Sequence, residues 1–319
     1  MENAPPPRWL IEGLFEVNTL VMLAGPSGNY KSFLMLDWIL SMASGRKWCG
    51  RPTVPSKVLY CLGEGKANLI KRINAWAEYH RLTPEERSRL NSNFRVDFEM
   101  PQLASKQSVD SMLYKLQQEN YTPDVVVVDT FARSFVGLDE NSQKDTGLWV
   151  EQADRLRKLG FTVLFIHHTA KNTEFGLKYR GSTAIMGAMD SAFTLQKDRD
   201  MKTISKLECT KQKDHDEGEP LYFERLIVKT HDKDRGSIVL VPTSKPDVEP
   251  MPEHTNIDLL LSNILQDNNY MSDRARARDL SKKTGLTESA AQARIVRKRR
   301  DVLPDVRITE HIENTNDFS

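Results

Sequence analysis

"LAGPSGNYKSF", residues Leu23 to Phe33, is the stretch whose reading decides the fold. It opens with Gly25 and closes on Lys31-Ser32, matching the phosphate-loop pattern G-x-x-x-x-G-K-[ST] except that Tyr30 stands where the pattern has its last glycine. Such a loop turns its backbone N–H groups and a helix N-terminus toward phosphates, which requires a buried strand before it and a helix after it. Both are readable. "NTLVMLA", Asn18 to Ala24, is an apolar run closed by Gly-Pro, and "FLMLDWILSMAS", Phe33 to Ser44, reads as a helix that Gly45 stops. The tyrosine is tolerable only if its ring points away from the phosphates.

A second signal supports the first. "TPDVVVVD" ends four valines at Asp129, and four in a row imply a strand buried on both faces. A carboxylate ending such a strand is placed to hold Mg²⁺ together with the Ser32 hydroxyl, while Lys31 bridges the β- and γ-phosphates. The expectation is therefore ATP with Mg²⁺. The nucleotide contacts fall on Gly25, Pro26, Ser27, Gly28, Asn29, Tyr30, Lys31, Ser32 and Phe33, and the metal contacts on Ser32 and Asp129.

Other strands and helices alternate around these two. "SKVLYCL" (Ser56 to Leu62) and "FTVLFIHH" read as buried strands, and Ala67 to Tyr79 and roughly Asp145 to Leu159 as helices. That order predicts an α/β core with a mostly parallel sheet. After Asp190, "SAFTLQKD", "TISKLECTKQK", "LYFERLIVKT" and "GSIVLVP" read as an antiparallel edge extension. The predicted core covers residues 1–241. "PTSKPDVEPMPEHT", residues 242–255, holds four prolines and reads as a linker. Residues 256–319 then read as a small helical domain, with a helix, a turn at Gly285 and a second helix capped by Thr287 and Glu288. That pattern fits a helix-turn-helix or winged-helix module, and equally a basic helix that packs on a partner. Arg294, Arg297 and Lys298 would offer phosphate contacts in the first case.

Composition bounds the rest. The 319 residues are 39% hydrophobic and 28% charged, a profile able to bury a core, with a net charge of +1. No apolar run approaches the ~20 residues of a membrane helix, and the first residues carry no secretory pattern. Cys49, Cys61 and Cys209 are scattered and form neither a disulfide framework nor a zinc spacing, so a reducing cytoplasm is the expectation.

Glu64, in "YCLGEGKANLIKRINAW", follows the strand after the phosphate-loop helix, where a carboxylate can activate the attacking water. The alternative is a solvated glutamate in a glycine-rich turn. With "PRWLIEG", "GPSGNYKS", "YCLGEG", "VVVVDTFARS", "FIHHTAK" and "RGSTAIMGAMDSAFTL" in order over residues 7 to 240, the chain resembles the RecA-like ATPases of the RepA-type hexameric helicase group. The resemblance implies a RecA-like P-loop core. It implies Glu64 as catalytic glutamate, His168 as sensor of the γ-phosphate, and Lys171, Lys178 and Arg180 as contacts to single-stranded DNA. It implies Lys211 and Lys213 as a basic pair inserted into a neighbouring subunit's site, hence a homo-oligomer, expected as a hexamer. A replicative DNA helicase is then the leading reading. A filament-forming recombination or repair ATPase, and a nucleotide-binding regulator that hydrolyses weakly, stay open beside it.

Overall fold

The computed structural model describes residues 7–169, 183–198, 201–230, 235–245, 261, 264–265, 272–284, 288–289, 291–292 and 294–296. The chain divides into two compact units, Met1–Lys245 and Pro246–Ser319.

Two short strands, β1 (Trp9–Ile11) and β2 (Phe15–Glu16), pair with each other and bury Ile11 and Phe15. The remaining strands of the first unit form one nine-stranded sheet. They are β3 (Leu20–Pro26), β4 (Val58–Leu62), β5 (Phe94–Asp97), β6 (Val125–Asp129), β7 (Thr162–Thr169), β8 (Ser191–Lys197), β9 (Ile204–Gln212), β10 (Leu221–Val228) and β11 (Ser237–Thr243). Their order is β11-β10-β9-β8-β3-β7-β6-β4-β5. From β8 to β5 every pairing is parallel, and β9, β10 and β11 add an antiparallel arm. Two expectations are corrected. "SAFTLQKD" belongs to the parallel core as β8, beside β3, because Asp190 pins its start by accepting from the Leu20 N–H at 2.9 Å. Pro242 and Thr243, read as linker, lie in β11 paired with Phe223 and Tyr222. The last strand can carry a proline because only its inner side is paired.

The valine run shows how the sequence builds three layers. Side chains alternate across a strand, so Val125 and Val127 pack on one face and Val126 and Val128 on the other. The first face is covered by α1 (Lys31–Ser44), α2 (Leu69–His80) and α3 (Pro84–Asn93). The second is covered by α4 (Lys106–Gln118), α5 (Gln143–Lys158) and α6 (Thr183–Ala188). The hydrophobic run of α1 leaves nearly the whole helix buried. α3 starts at a capping box in which Thr83 and Glu86 satisfy each other's backbone N–H, with Pro84 at the first helical position.

One polar group inside the first layer fixes α1 against its neighbours. Asp37, buried in the middle of α1, accepts from the indole N–H of Trp48 and of Trp76, each at 2.6 Å. His80 Nε2 lies 3.5 Å from the same carboxylate.

In the second unit, α7 (Asp273–Thr284) presents Ala277 and Leu280 to a small core with Leu261, Ile264, Ala291 and Ile295. Residues 294–296 are helical and Arg294 is exposed. Gly285, Thr287, Arg297 and Lys298 lie outside the described residues. Among the described residues no helix is long and apolar enough to cross a membrane.

Asp37→Ala should lower stability by about 2–5 kcal/mol, since it strands two buried indole donors at roughly 1–3 kcal/mol each. A urea titration should show the midpoint falling with an unchanged slope; a midpoint equal to that of the wild type would contradict this account of the α1 anchor.

Candidate active site

β3 ends at Pro26 and α1 begins at Lys31, so four residues must reverse the chain. Gly25 lies so close to β8 that a Cβ there would meet the Leu195 carbonyl oxygen at 2.3 Å. Tyr30, the residue that departs from the motif, has φ 64° and ψ 18°, the left-handed conformation, and directly precedes α1. A glycine adopts that conformation freely, whereas a tyrosine costs roughly 1–2 kcal/mol. The structure shows what offsets the cost. The Tyr30 hydroxyl accepts from Arg225 Nη1 on β10 at 3.0 Å, and Lys197 Nζ of β8 lies 4.3 Å from the ring centre. At exposed sites a cation over a ring gives about 0.5–1 kcal/mol, and the hydrogen bond adds a comparable amount. These contacts hold the ring toward the antiparallel arm.

The helix N-terminus has no side-chain cap and no acidic residue in its first turn, so it keeps its positive end for a ligand. Beside it opens a groove of about 230 Å³ lined by Gly28, Asn29, Tyr30, Lys31, Ser32, Phe33, Arg72 and His168. Gly25, Pro26 and Ser27 do not line it. Gly25 and Pro26 contribute their carbonyls, which accept from Lys31 Nζ at 2.8 and 2.9 Å. The third acceptor of that ammonium is His168 Nδ1 at 3.0 Å, which places the His168 proton on Nε2. Burial pulls the Lys31 pKa down to about 8, against the opposing pull of Asp129. Burial first, then the Lys31 charge, holds His168 below the usual histidine range.

Asp129 ends β6 one strand away from β3, across β7. It is buried, and burial raises its pKa although hydrogen bonds from Tyr60 and Ser32 work against the shift. The Tyr60 hydroxyl donates to Oδ2 at 2.6 Å, and burial followed by the Asp129 charge pushes that phenol well above its ordinary value. A buried carboxylate beside a serine hydroxyl is an oxygen donor set suited to a hard divalent cation, so the residues fit Mg²⁺. Among the described residues no group of three or more His, Cys, Asp or Glu is arranged to hold a metal ion. His167 and His168 point to opposite faces: His167 packs on the Phe131 ring at 5.4 Å, and burial takes its pKa down to about 4.

Glu64 leaves the end of β4, half exposed, close enough for its charge to act on both Asp129 and His168. One edge of the sheet thus gathers Lys31, Ser32, Glu64, Asp129 and His168. Two groups at this edge are not singled out by the sequence reading. Arg72 of α2 lies 4.7 Å over the Phe33 ring and lines the groove, and its charge acts on Asp129. Tyr60 reads in the sequence only as a strand residue. Arg72 closes the basic stretch "GKANLIKR" just after Glu64, and that nearness was the available signal.

Lys211 and Lys213 are placed elsewhere. Lys211 pairs opposite Ala192, toward the far end of the strands, and donates to the Met186 and Gly187 carbonyls at 2.7 and 3.0 Å. Lys213 lies 3.4 Å from Asp190. Neither joins the phosphate loop of its own chain, which leaves action on a second copy as the role open to them. Lys171, Lys178 and Arg180 lie outside the described residues.

A lysine held near pKa 8 makes nucleotide binding proton-linked. A triphosphate favours the ammonium, raises its pKa and draws a proton from solvent. Calorimetry in buffers of different ionisation enthalpy should show uptake on the order of half a proton at about pH 8, vanishing toward about pH 6.5. Identical binding enthalpies in all buffers at about pH 8 would contradict the burial of Lys31.

No curated protein matched the chain. A solved structure whose title describes it as an ATPase domain is similar over 70% of this chain and 84% of that one, at 13% identity and a TM-score of 0.49. That likeness is too distant to bear on the argument. The family model AAA_25, described as an AAA domain, matches residues 1–174, a span that includes the phosphate loop, Glu64, Asp129 and His168. The chain therefore belongs to the AAA domain family, and its first unit is a P-loop ATPase domain.

Proposed function

We propose that this chain is a Mg²⁺-dependent ATPase of RecA type that acts as an oligomeric motor on nucleic acid, a replicative DNA helicase in its most concrete form. The observation that carries the proposal is the meeting, at one sheet edge, of the Lys31 loop, buried Asp129, Glu64 and His168.

In this reading the triphosphate replaces the Gly25 and Pro26 carbonyls as acceptors for Lys31, and the uncapped α1 N-terminus faces the same phosphates. Mg²⁺, when bound, neutralises phosphate charge that develops during transfer. Ser32 and Asp129 would hold it, with Tyr60 fixing the carboxylate. Glu64 takes a proton from the attacking water as its oxygen bonds to the γ-phosphorus, and ADP leaves with the bridging oxygen. His168, neutral and carrying its proton on Nε2, donates to the γ-phosphate and reports its loss. Lys211 and Lys213 would act on the nucleotide of a neighbouring copy, supplying charge in trans. This requires a homo-oligomer, for which a hexamer is the natural form. Lys in the second position gives a point charge and not a bidentate fork.

Steady-state ATP turnover with Mg²⁺, with and without single-stranded DNA, tests the proposal. Wild type should turn over and be stimulated by the strand, whereas Lys31→Ala should fall by about 100-fold or more. Absence of wild-type turnover under both conditions would overturn the enzyme reading. Displacement of one strand from a forked duplex is expected for the helicase; turnover without displacement would make it a filament former.

A further inference from the structure

Glu64 is tied to a partner that none of the roles above uses. Its Oε1 accepts from Arg133 Nε at 2.7 Å. Arg133 belongs to the 3-10 turn Phe131–Ser134, which starts two residues after Asp129. Three further contacts press that turn against the Glu64 loop. The Gly63 N–H donates to the Asp129 carbonyl at 2.7 Å. Gln102 Nε2 donates to the Arg133 carbonyl at 2.9 Å. A Cβ on Gly63 would lie 2.8 Å from Arg133 Cβ and 2.9 Å from its Cγ, so a glycine is needed before Glu64 to make room for the arginine stem.

Stability does not explain this packing. Arg133 and Glu64 are 56% and 50% exposed, and an ion pair in such surroundings contributes about 0–1 kcal/mol. Orientation does explain it. A glutamate on a loop samples several rotamers, and a misplacement on the order of 1 Å in a catalytic group can cost about 100-fold in rate. With Oε1 fixed by Arg133, Oε2 is the oxygen left to face the groove.

We propose that Arg133 is a positioning residue that holds Glu64 in the geometry for water activation and links that geometry to the Asp129 strand. The inference rests on the reading of Glu64 as the base. It assigns Arg133 an effect on turnover and none on nucleotide capture, because the guanidinium grips a carboxylate and not a phosphate.

The test compares wild type, Glu64→Gln, Arg133→Ala and Arg133→Lys at saturating and limiting Mg·ATP, with thermal melting as the fold control. Glu64→Gln should abolish turnover. Arg133→Ala should lower kcat by about tenfold with KM within about twofold of wild type, and Arg133→Lys, which keeps a donor and a charge, should recover most of the loss. If Arg133→Ala does not melt cooperatively, Arg133→Gln replaces it with the same expectation. Wild-type kcat in the alanine variant, a loss confined to KM, or no recovery by lysine would overturn the proposal. Turnover surviving in Glu64→Gln would instead overturn the reading of Glu64 as the base, whatever Arg133 does.

Discussion

At residue 30 the backbone must turn left-handed, because only that conformation lets α1 start immediately after the loop with its first amides bare. Everything near the groove follows from it. Gly25 fits against β8, the β3 strand is buried on both sides, and α1 is locked behind by Asp37 and two tryptophans. A tyrosine can hold this position only because the antiparallel arm reaches back to it through Arg225 and Lys197. The arm is therefore part of the phosphate loop's support, and its charge pattern has a structural reason.

Two buried groups of opposite charge, Lys31 and Asp129, give the groove its electrostatic character. Burial disfavours the charged form of each and shifts their pKa values toward one another. Each makes hydrogen bonds, yet each retains a demand for charge that a triphosphate and a divalent cation meet. In this structure the ammonium satisfies itself on its own loop and on His168. That arrangement keeps the site closed on itself until a stronger acceptor arrives.

The elements that the sequence announced were those with an unambiguous pattern: the valine strand, the apolar helix stopped by Gly45, and the loop between β3 and α1. β5, α3, α4 and the β1–β2 pair were not foreseen, since their polar faces dilute the periodicity; the Thr83-to-Glu86 capping box was the one overlooked signal. Lys31, Ser32 and Asp129 were legible because motif order implies their meeting. Arg133 was not, as it meets Glu64 across 69 residues of chain, nor was Arg225, which meets Tyr30 across 195. Contacts of that separation depend on strand order, which no local pattern encodes. β8 was misread for the same reason: its alternation resembles an antiparallel strand, and its parallel partner β3 lies far back in the chain.

The central claim is that a turn carrying Tyr30 wraps a triphosphate. A crystal structure with a non-hydrolysable ATP analogue and Mg²⁺ tests it most directly. The account predicts the β- and γ-phosphates against the amides of residues 28–32, with Lys31 moved from its carbonyls onto them, the ion between Ser32 and Asp129, and the Tyr30 ring still on Arg225. An empty groove, or the Tyr30 ring lying where the phosphates belong, would contradict it.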